Sequence, residues 1–219
     1  MDATITPMAS ASEQYHSWYY DTAVWRKTTF LGVPCLKSVS DLWNYQEILA
    51  QIQPSVVLEL GTYDGGSTLY FAEILQLISP RSRILSVDID HSIVHERVRR
   101  QLQVELLQCD SRSPTVAARF SELRREYGGK AFCILDSAHT KQHVYDELMM
   151  LRSITESGDY VVVEDGNING HPVLPDWGPG PYEALEEYLA QYPNDYTPDL
   201  ERENKFGFTF SPKGFLIRR

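Results

Sequence analysis

Residues 161–170 read VVVEDGNING, an apolar run that ends in two adjacent carboxylates, Glu164 and Asp165, with Gly166 behind them. A second run, FCILDSAHT at 132–140, has the same form and ends in Asp136. An isolated buried carboxylate is expensive, and neighbouring carboxylates oppose one another's ionisation. Three of them at the tips of apolar strands call for a counter-charge. A hard divalent cation with oxygen ligands, Mg2+ first among them, meets that need, so Asp136, Glu164 and Asp165 are candidate metal ligands. The plainer alternative has Asp136 or Asp165 capping a helix or turn and Glu164 pairing with a base. His139, three residues past Asp136, is of the type best suited to proton exchange near neutrality and is the first candidate for a general base. Its own plain alternative is a helix-start residue that only orients the loop.

A second motif, VVLELGTYDGGSTLYFAEIL at 56–75, reads as strand, glycine turn and helix. Gly61 permits a sharp turn, while Gly65 and Gly66 permit close approach of a ligand to the backbone. Ser67 is placed to cap the helix that follows. The glycine order is not that of a dinucleotide fingerprint, and the Lys-Ser/Thr of a phosphate loop is missing. Glu59, just before the turn, suits an amino-acid ammonium better than a pyrophosphate. Asp88, at the next strand end, could accept two ribose hydroxyls, and Asp110-Ser111 could meet an adenine edge. The turn residues Thr62 and Tyr63, with Asp136, complete the expected contacts. Ammonium, sulfonium, ribose and adenine together describe S-adenosylmethionine.

These groups need a frame that gathers strand ends. Candidate strands are 55–60, 84–88, 104–108, 132–136 and 160–164, each continuously apolar, as parallel strands covered on both faces are. Helical spacing marks 67–79, 113–127 and 140–154, and Pro181 opens another helix reaching about 191. The alternation predicts a doubly wound α/β sheet. KFGFTF, SPKG and FLIRR at the end read as a C-terminal antiparallel hairpin. The expected whole is a class I methyltransferase-like, Rossmann-like sheet of seven strands, mostly parallel. Residues 1–45 are read as an aromatic-rich extension packed on a domain at 46–219, with 1–14 loosely attached.

The composition narrows the function. The chain has 219 residues, 30 of them acidic against 20 basic, for a net charge of −10. Nucleic acid and anionic membranes are therefore disfavoured partners. Three scattered cysteines suggest no disulfide framework and suit a reducing, cytoplasmic setting. No secretory signal or membrane-spanning run is visible.

The stretches LDSAHTKQHVYDEL (135–148), SGDYVVVEDGNINGHPVLPDWGPGPYEALEEYL (157–189) and FGFTFSPKGFLIRR (206–219) resemble the cephalosporin hydroxylase/rhamnosyl O-methyltransferase family. TTFLGVPCLKSVSDLW (28–43) and LELGTYDGGS (58–67) match too, so the resemblance covers most of 28–219. It implies an O-methyltransferase dependent on S-adenosylmethionine and Mg2+, with metal carboxylates at Asp136, Glu164 and Asp165. A more distant similarity to catechol-type enzymes supports Asp136 and Asp165. It also makes Lys141 the second candidate base. Those enzymes place Asn after the second aspartate, where this chain has Gly166. A hydroxylase reading would need a two-histidine, one-carboxylate iron site, and the expected spacing is absent. A non-catalytic member of the fold is the other alternative, although a scaffold gains nothing from the concentrated charge. The 166–181 loop is expected to wall the acceptor site with His171 and Trp177. The acceptor is expected to be a sugar or natural product with neighbouring hydroxyls, and the assembly a homo-oligomer.

Overall fold

A computed structural model describes residues 10–219, and what was expected of residues 1–9 lies outside the described residues. The first element is a helix, not a loose tail. Ser10 caps α1 (Ala11–Asp21) through a reciprocal pair with Glu13, its Oγ accepting from the Glu13 N–H and its own N–H donating to Glu13 Oε2. A single 3-10 turn, Val24–Lys27, leads to a two-stranded antiparallel ribbon of β1 (Thr29–Phe30) and β2 (Val33–Pro34). Helix α2 (Val39–Ile52) then runs through residue 45, where the extension was expected to end.

From there strands and helices alternate. They are β3 (Val56–Leu60), α3 (Gly66–Ile78), β4 (Arg83–Asp88), α4 (Glu96–Arg99), β5 (Val104–Gln108), α5 (Pro114–Tyr127), β6 (Ala131–Leu135), α6 (Lys141–Ile154), β7 (Tyr160–Val163) and α7 (Pro181–Gln191). Two short strands, β8 (Tyr196–Pro198) and β9 (Phe215–Arg218), flank α8 (Leu200–Asn204). The sheet order is β5-β4-β3-β6-β7-β9-β8. Only β9 opposes its neighbours β7 and β8, so the sheet is the expected seven-stranded, mostly parallel one.

Strand alternation sorts side chains onto two cores. Val57, Phe132, Ile134 and Val162 meet Tyr45, Ile48 and Phe71 of α2 and α3 on one face. Leu58, Leu60, Cys133 and Val161 meet Phe120, Leu148 and Leu185 of α5, α6 and α7 on the other. With both faces covered, the central strands are largely apolar on both, and the buried exceptions Glu59 and Ser86 bond to each other.

The hairpin needs correction. KFGFTF forms no strand, and β9 pairs instead with the three-residue β8. Phe208 and Phe210 are taken up by rings of the N-terminal segment: Tyr15 lies 5.4 Å from Phe208, and Tyr20 and Trp25 lie 5.6 and 6.1 Å from Phe210. The three cysteines are unpaired, and among the described residues no helix is long and apolar enough to cross a membrane.

Candidate functional site

The carboxyl ends of β3, β4, β6 and β7 open into a cavity of about 630 Å³, the position at which open parallel sheets bind ligands. The glycine turn forms its floor. Gly61 has a φ of 103°, and a Cβ there would lie 1.9 Å from the Asp136 carbonyl oxygen. No other residue fits so close to the neighbouring strand. A Cβ on Gly66 would meet the Pro34 carbonyl at 1.9 Å, which packs the start of α3 against β2. Thr62, Tyr63, Gly65 and Ser67 line the same wall.

Asp88 faces this turn. Its Oδ2 accepts from the N–H groups of Thr62 and Tyr63, both at 2.9 Å, so it braces the loop while lining the cavity. Asp110 and Ser111 also line the cavity. Asp110 pairs with Arg112 at 2.8 Å, which holds its carboxyl well below the usual range. Ser111 Oγ is 2.8 Å from His143 Nε2.

Glu59 is placed otherwise than expected. Strand parity turns it toward α3, where it accepts hydroxyls from Ser67 and Ser86, each at 2.6 Å, and from Thr68. It is buried outside the cavity and is not available to an ammonium; burial raises its pKa. Ser67 accordingly spends its hydroxyl on Glu59, and Gly65 is the N-cap of α3.

The acidic strand tips divide by the same parity. Asp136 and Glu164 continue the alternation of Ile134 and Val162 and so point to the α2 side of the sheet. There they meet Lys37, whose side chain is only 3% exposed. Its ammonium donates to Asp136 Oδ2 and lies 3.3 Å from Glu164 Oε1. Burial works against that ammonium, but the two carboxylates outweigh it and hold its pKa above the ordinary value. Glu164 Oε1 also accepts from the Tyr45 hydroxyl at 2.5 Å, and Ser211 Oγ lies 3.4 Å from Oε2. Glu164 therefore stays behind the cavity wall.

Asp165 lies just past the end of β7. Its φ of 56° is in the left-handed region, which aspartate tolerates better than most residues. The residue lines the cavity, and its Oδ2 lies 3.1 Å from His139 Nε2. His139 Nε2 is also 4.0 Å from Asp136 Oδ1. Ligand atoms of Asp136, His139 and Asp165 lie within 4.8 Å of one another, a group able to hold a cation. Burial pushes the pKa of both aspartates up, each helped by a neighbouring carboxylate. Of the three carboxylates expected together, two meet at the cavity with His139, and the third is engaged elsewhere.

Lys141 opens α6 and pairs with Glu187 of α7 at 2.6 Å, outside the cavity, so it is not placed to take a proton there. In the 166–181 loop, Trp177 lines the cavity with Ile168 and Leu174, its Nε1 donating to the His139 carbonyl at 3.1 Å. His171 turns away, 2.9 Å from Glu183 and stacked 3.6 Å from Tyr182. Tyr20, Trp25 and Arg26 complete the rim from the N-terminal segment. Helix α1 is fastened to the loop by His16 and Asn167, whose Nδ2 lies 2.9 Å from His16 Nε2. Lys37, Tyr45 and His16 carry no local sequence signal, because their partners lie 99 to 151 residues away.

A rhamnosyl O-methyltransferase of Mycobacterium bovis (strain BCG / Pasteur 1173P2) is 53% identical over 212 residues, 97% of this chain and 86% of the relative. One from Mycobacterium leprae (strain TN) is 49% identical over 213 residues, 97% and 93% of the two chains. Among solved structures, CmcI in its apo form superposes with a TM-score of 0.71 at 20% identity, over 100% of this chain and 88% of that one. CmcI with Mg-SAM gives 0.69 at 20% identity, over 100% and 89%. These two likenesses bear on the fold. The family model described as Rhamnosyl O-methyltransferase/CmcI matches residues 22–219, nearly the whole of the described chain. On that match and on the identity to its relatives, the chain belongs to the Rhamnosyl O-methyltransferase/CmcI family.

Proposed function

We propose that this chain transfers a methyl group from S-adenosylmethionine to a hydroxyl of a sugar or sugar-bearing small molecule, with Mg2+ held by Asp136 and Asp165. The observation that carries the reading is the convergence of Asp136, His139 and Asp165 on one wall of a cavity whose floor is the glycine turn with Asp88. The relatives' name supports a rhamnosyl or similar sugar acceptor, and the CmcI structure with Mg-SAM is in keeping with the donor and the ion.

The residues fit such an ion. Carboxylate oxygens are the ligands Mg2+ prefers, and two carboxylates with pKa values raised by burial are short of counter-charge. Bound there, the ion would supply Lewis-acid polarisation of the acceptor hydroxyl, and the sulfonium donor would supply an electrophilic methyl group.

The chain supplies alignment and a proton acceptor. With Nε2–H given to Asp165 Oδ2, Nδ1 is the basic nitrogen of His139, and it takes the acceptor's proton. Asp88 Oδ1 serves the ribose hydroxyls while Oδ2 keeps the turn in shape. Asp110 and Ser111 border the adenine. Trp177, Leu174 and Ile168 face Tyr20 and Trp25 across the acceptor side, where apolar surface excludes water and fits the C–H faces of a sugar ring. In this reading the aromatic segment before residue 46 is a wall of the site rather than a separate unit. Holding acceptor oxygen, methyl carbon and sulfur in line is the main contribution of such a cavity to the rate.

The test is incubation with S-adenosylmethionine and a panel of rhamnosides and other sugars with adjacent hydroxyls, with and without EDTA. S-adenosylhomocysteine and a methylated sugar are expected. A protein that neither responds thermally to the donor nor turns it over with any acceptor would sink the proposal.

A further inference from the structure

We infer that Ser137, with its hydroxyl turned inward by the buried carboxylate of Glu147, is the group that reads the donor's base. It accepts a hydrogen bond from an exocyclic amino group and rejects a carbonyl oxygen in the same place. The inference rests on the donor-binding reading above. It adds a specificity residue, Ser137, and a positioning residue, Glu147.

Three observations carry it. First, Ser137 and Ser111 both line the cavity, with their Oγ atoms 3.5 Å apart, so Ser137 borders the base as Ser111 does. Second, the single hydrogen of the Ser137 hydroxyl is already spent, because Oγ donates to Glu147 Oε1 at 2.5 Å. What Ser137 shows the cavity is therefore lone pairs, which only accept. Asp110, the carboxylate beside the base, is engaged by Arg112 through both oxygens. Third, Glu147 does not line the cavity and is 0% exposed, and its Oε2 has no hydrogen-bond partner among the described residues. Such a carboxylate is costly to keep. Its engaged oxygen acts on two cavity residues, Ser137 and His143. The histidine sits one turn earlier on α6, with Nε2 3.2 Å from Oε1.

The arrangement has a polarity. A carboxylate accepts and cannot donate, so it holds the Ser137 hydrogen away from the ligand. With a proton on the His143 nitrogen that faces Glu147, the ring also donates to Ser111 Oγ at 2.8 Å. The Ser111 hydrogen is then left for the ligand. The pair offers an acceptor at Ser137 and a donor at Ser111. Adenine is complementary, with its 6-amino donor beside ring-nitrogen acceptors. Hypoxanthine shows the reverse, a 6-carbonyl oxygen beside a protonated N1, and sets oxygen against oxygen at Ser137. Leaving a desolvated acceptor unpaired is a strong ground for rejection.

Calorimetric titration with S-adenosylhomocysteine and S-inosylhomocysteine tests this without reference to turnover. The unaltered protein binds the adenine ligand about a hundredfold more tightly than the hypoxanthine one. Ser137→Ala removes the acceptor and cuts that preference by about tenfold. Glu147→Leu frees the Ser137 hydrogen to meet the carbonyl, and the preference falls to a similar extent. Glu147→Met repeats that change with a more adaptable side chain. A merely structural Glu147 would weaken both ligands alike, and an unchanged ratio in its variants overturns its positioning role. An unchanged ratio in Ser137→Ala overturns the inference as a whole, whether or not the core tolerates loss of Glu147. Unaltered protein that binds the two ligands equally overturns it too, with the donor-binding reading left standing. Unaltered protein that binds neither ligand overturns that reading itself, and the role of Ser137 falls with it.

Discussion

His139 Nε2 lies 3.1 Å from Asp165 Oδ2, which joins the loop after β6 to the residue that turns the chain beyond β7. A proton on Nε2 facing that carboxylate would leave Nδ1 as the nitrogen free to accept one. If that nitrogen takes the acceptor's proton, His139→Ala lowers kcat by about 10²–10⁴. Donor affinity, measured by calorimetry with S-adenosylmethionine, stays within about threefold, because the ring is not among the donor's expected contacts. A loss of only a few-fold in kcat would assign the ring an orienting role instead.

Removal of the divalent ion gives a second check. Chelation with EDTA is expected to abolish transfer, and Mg2+ to restore it, because Asp136 and Asp165 have raised carboxyl pKa values and a shared need for a cation. Asp165→Asn keeps the size of the side chain but halves the charge offered to the ion. Transfer by that variant should need about tenfold or more Mg2+ for half-maximal rate. Full activity in EDTA would remove the ion from the reaction.

Most of this frame was legible because burial is written locally. The central strands announce themselves as apolar runs such as AFCIL and YVVV, since both faces of β6 and β7 are covered. The glycine turn was legible for a similar reason: close approach of backbones restricts the residue type at Gly61. KFGFTF misled because alternating phenylalanines look the same whether they enter a sheet or, as Phe208 and Phe210 do, a cluster of rings from α1. β8 is only three residues long and ends in Pro198, too short to carry a pattern. Lys37 was illegible for a different reason. A lone lysine in a loop looks exposed, and only the folded sheet brings it to Asp136 across 99 residues of sequence. The division of the acidic pair was equally hidden: both residues are acids, yet Asp165 lines the cavity while Glu164 is buried against Tyr45.

Gly61 offers a stability test of the turn. An alanine there would place its Cβ 1.9 Å from the Asp136 carbonyl oxygen at a φ of 103°. The backbone cannot easily yield, because Gly61 N–H bonds Val87 at 2.8 Å and Asp136 N–H bonds Leu60 at 2.7 Å. Gly61→Ala should cost about 3 kcal/mol or more and abolish donor binding. Gly178→Ala is the control: its φ of 95° is also unfavourable, but nothing lies within 4 Å of the added carbon. That variant should lose about 1–2 kcal/mol and still bind the donor. Equal urea midpoints for the two would remove the close approach as the reason for glycine.

The contact between His16 and Asn167 predicts a pH dependence whose direction follows from burial. His16 is 4% exposed, and burial pushes its pKa down to about 4 from 6.5. Between those values the unfolded chain binds the proton and the folded chain does not. The contribution of a neutral His16 is therefore complete above pH 6.5 and declines as pH falls toward 4, by at most about 3 kcal/mol. Asp136, Glu164 and Asp165 act in the opposite sense, because their raised pKa values favour proton uptake by the folded chain. The comparison is thus between the unaltered protein and His16→Gln, in which those carboxylates are common to both. Urea midpoints at pH 7, 5.5 and 4.5 should show the unaltered protein losing ground to the variant as pH falls. Loss of the α1 contact should loosen the 166–181 loop as well, since Asn167 anchors it two residues past Asp165. Hydrogen exchange at Ile168 and Val173 should therefore quicken with the same pH dependence. Parallel stability curves, or exchange indifferent to pH, would mean that His16 is not held neutral against the loop.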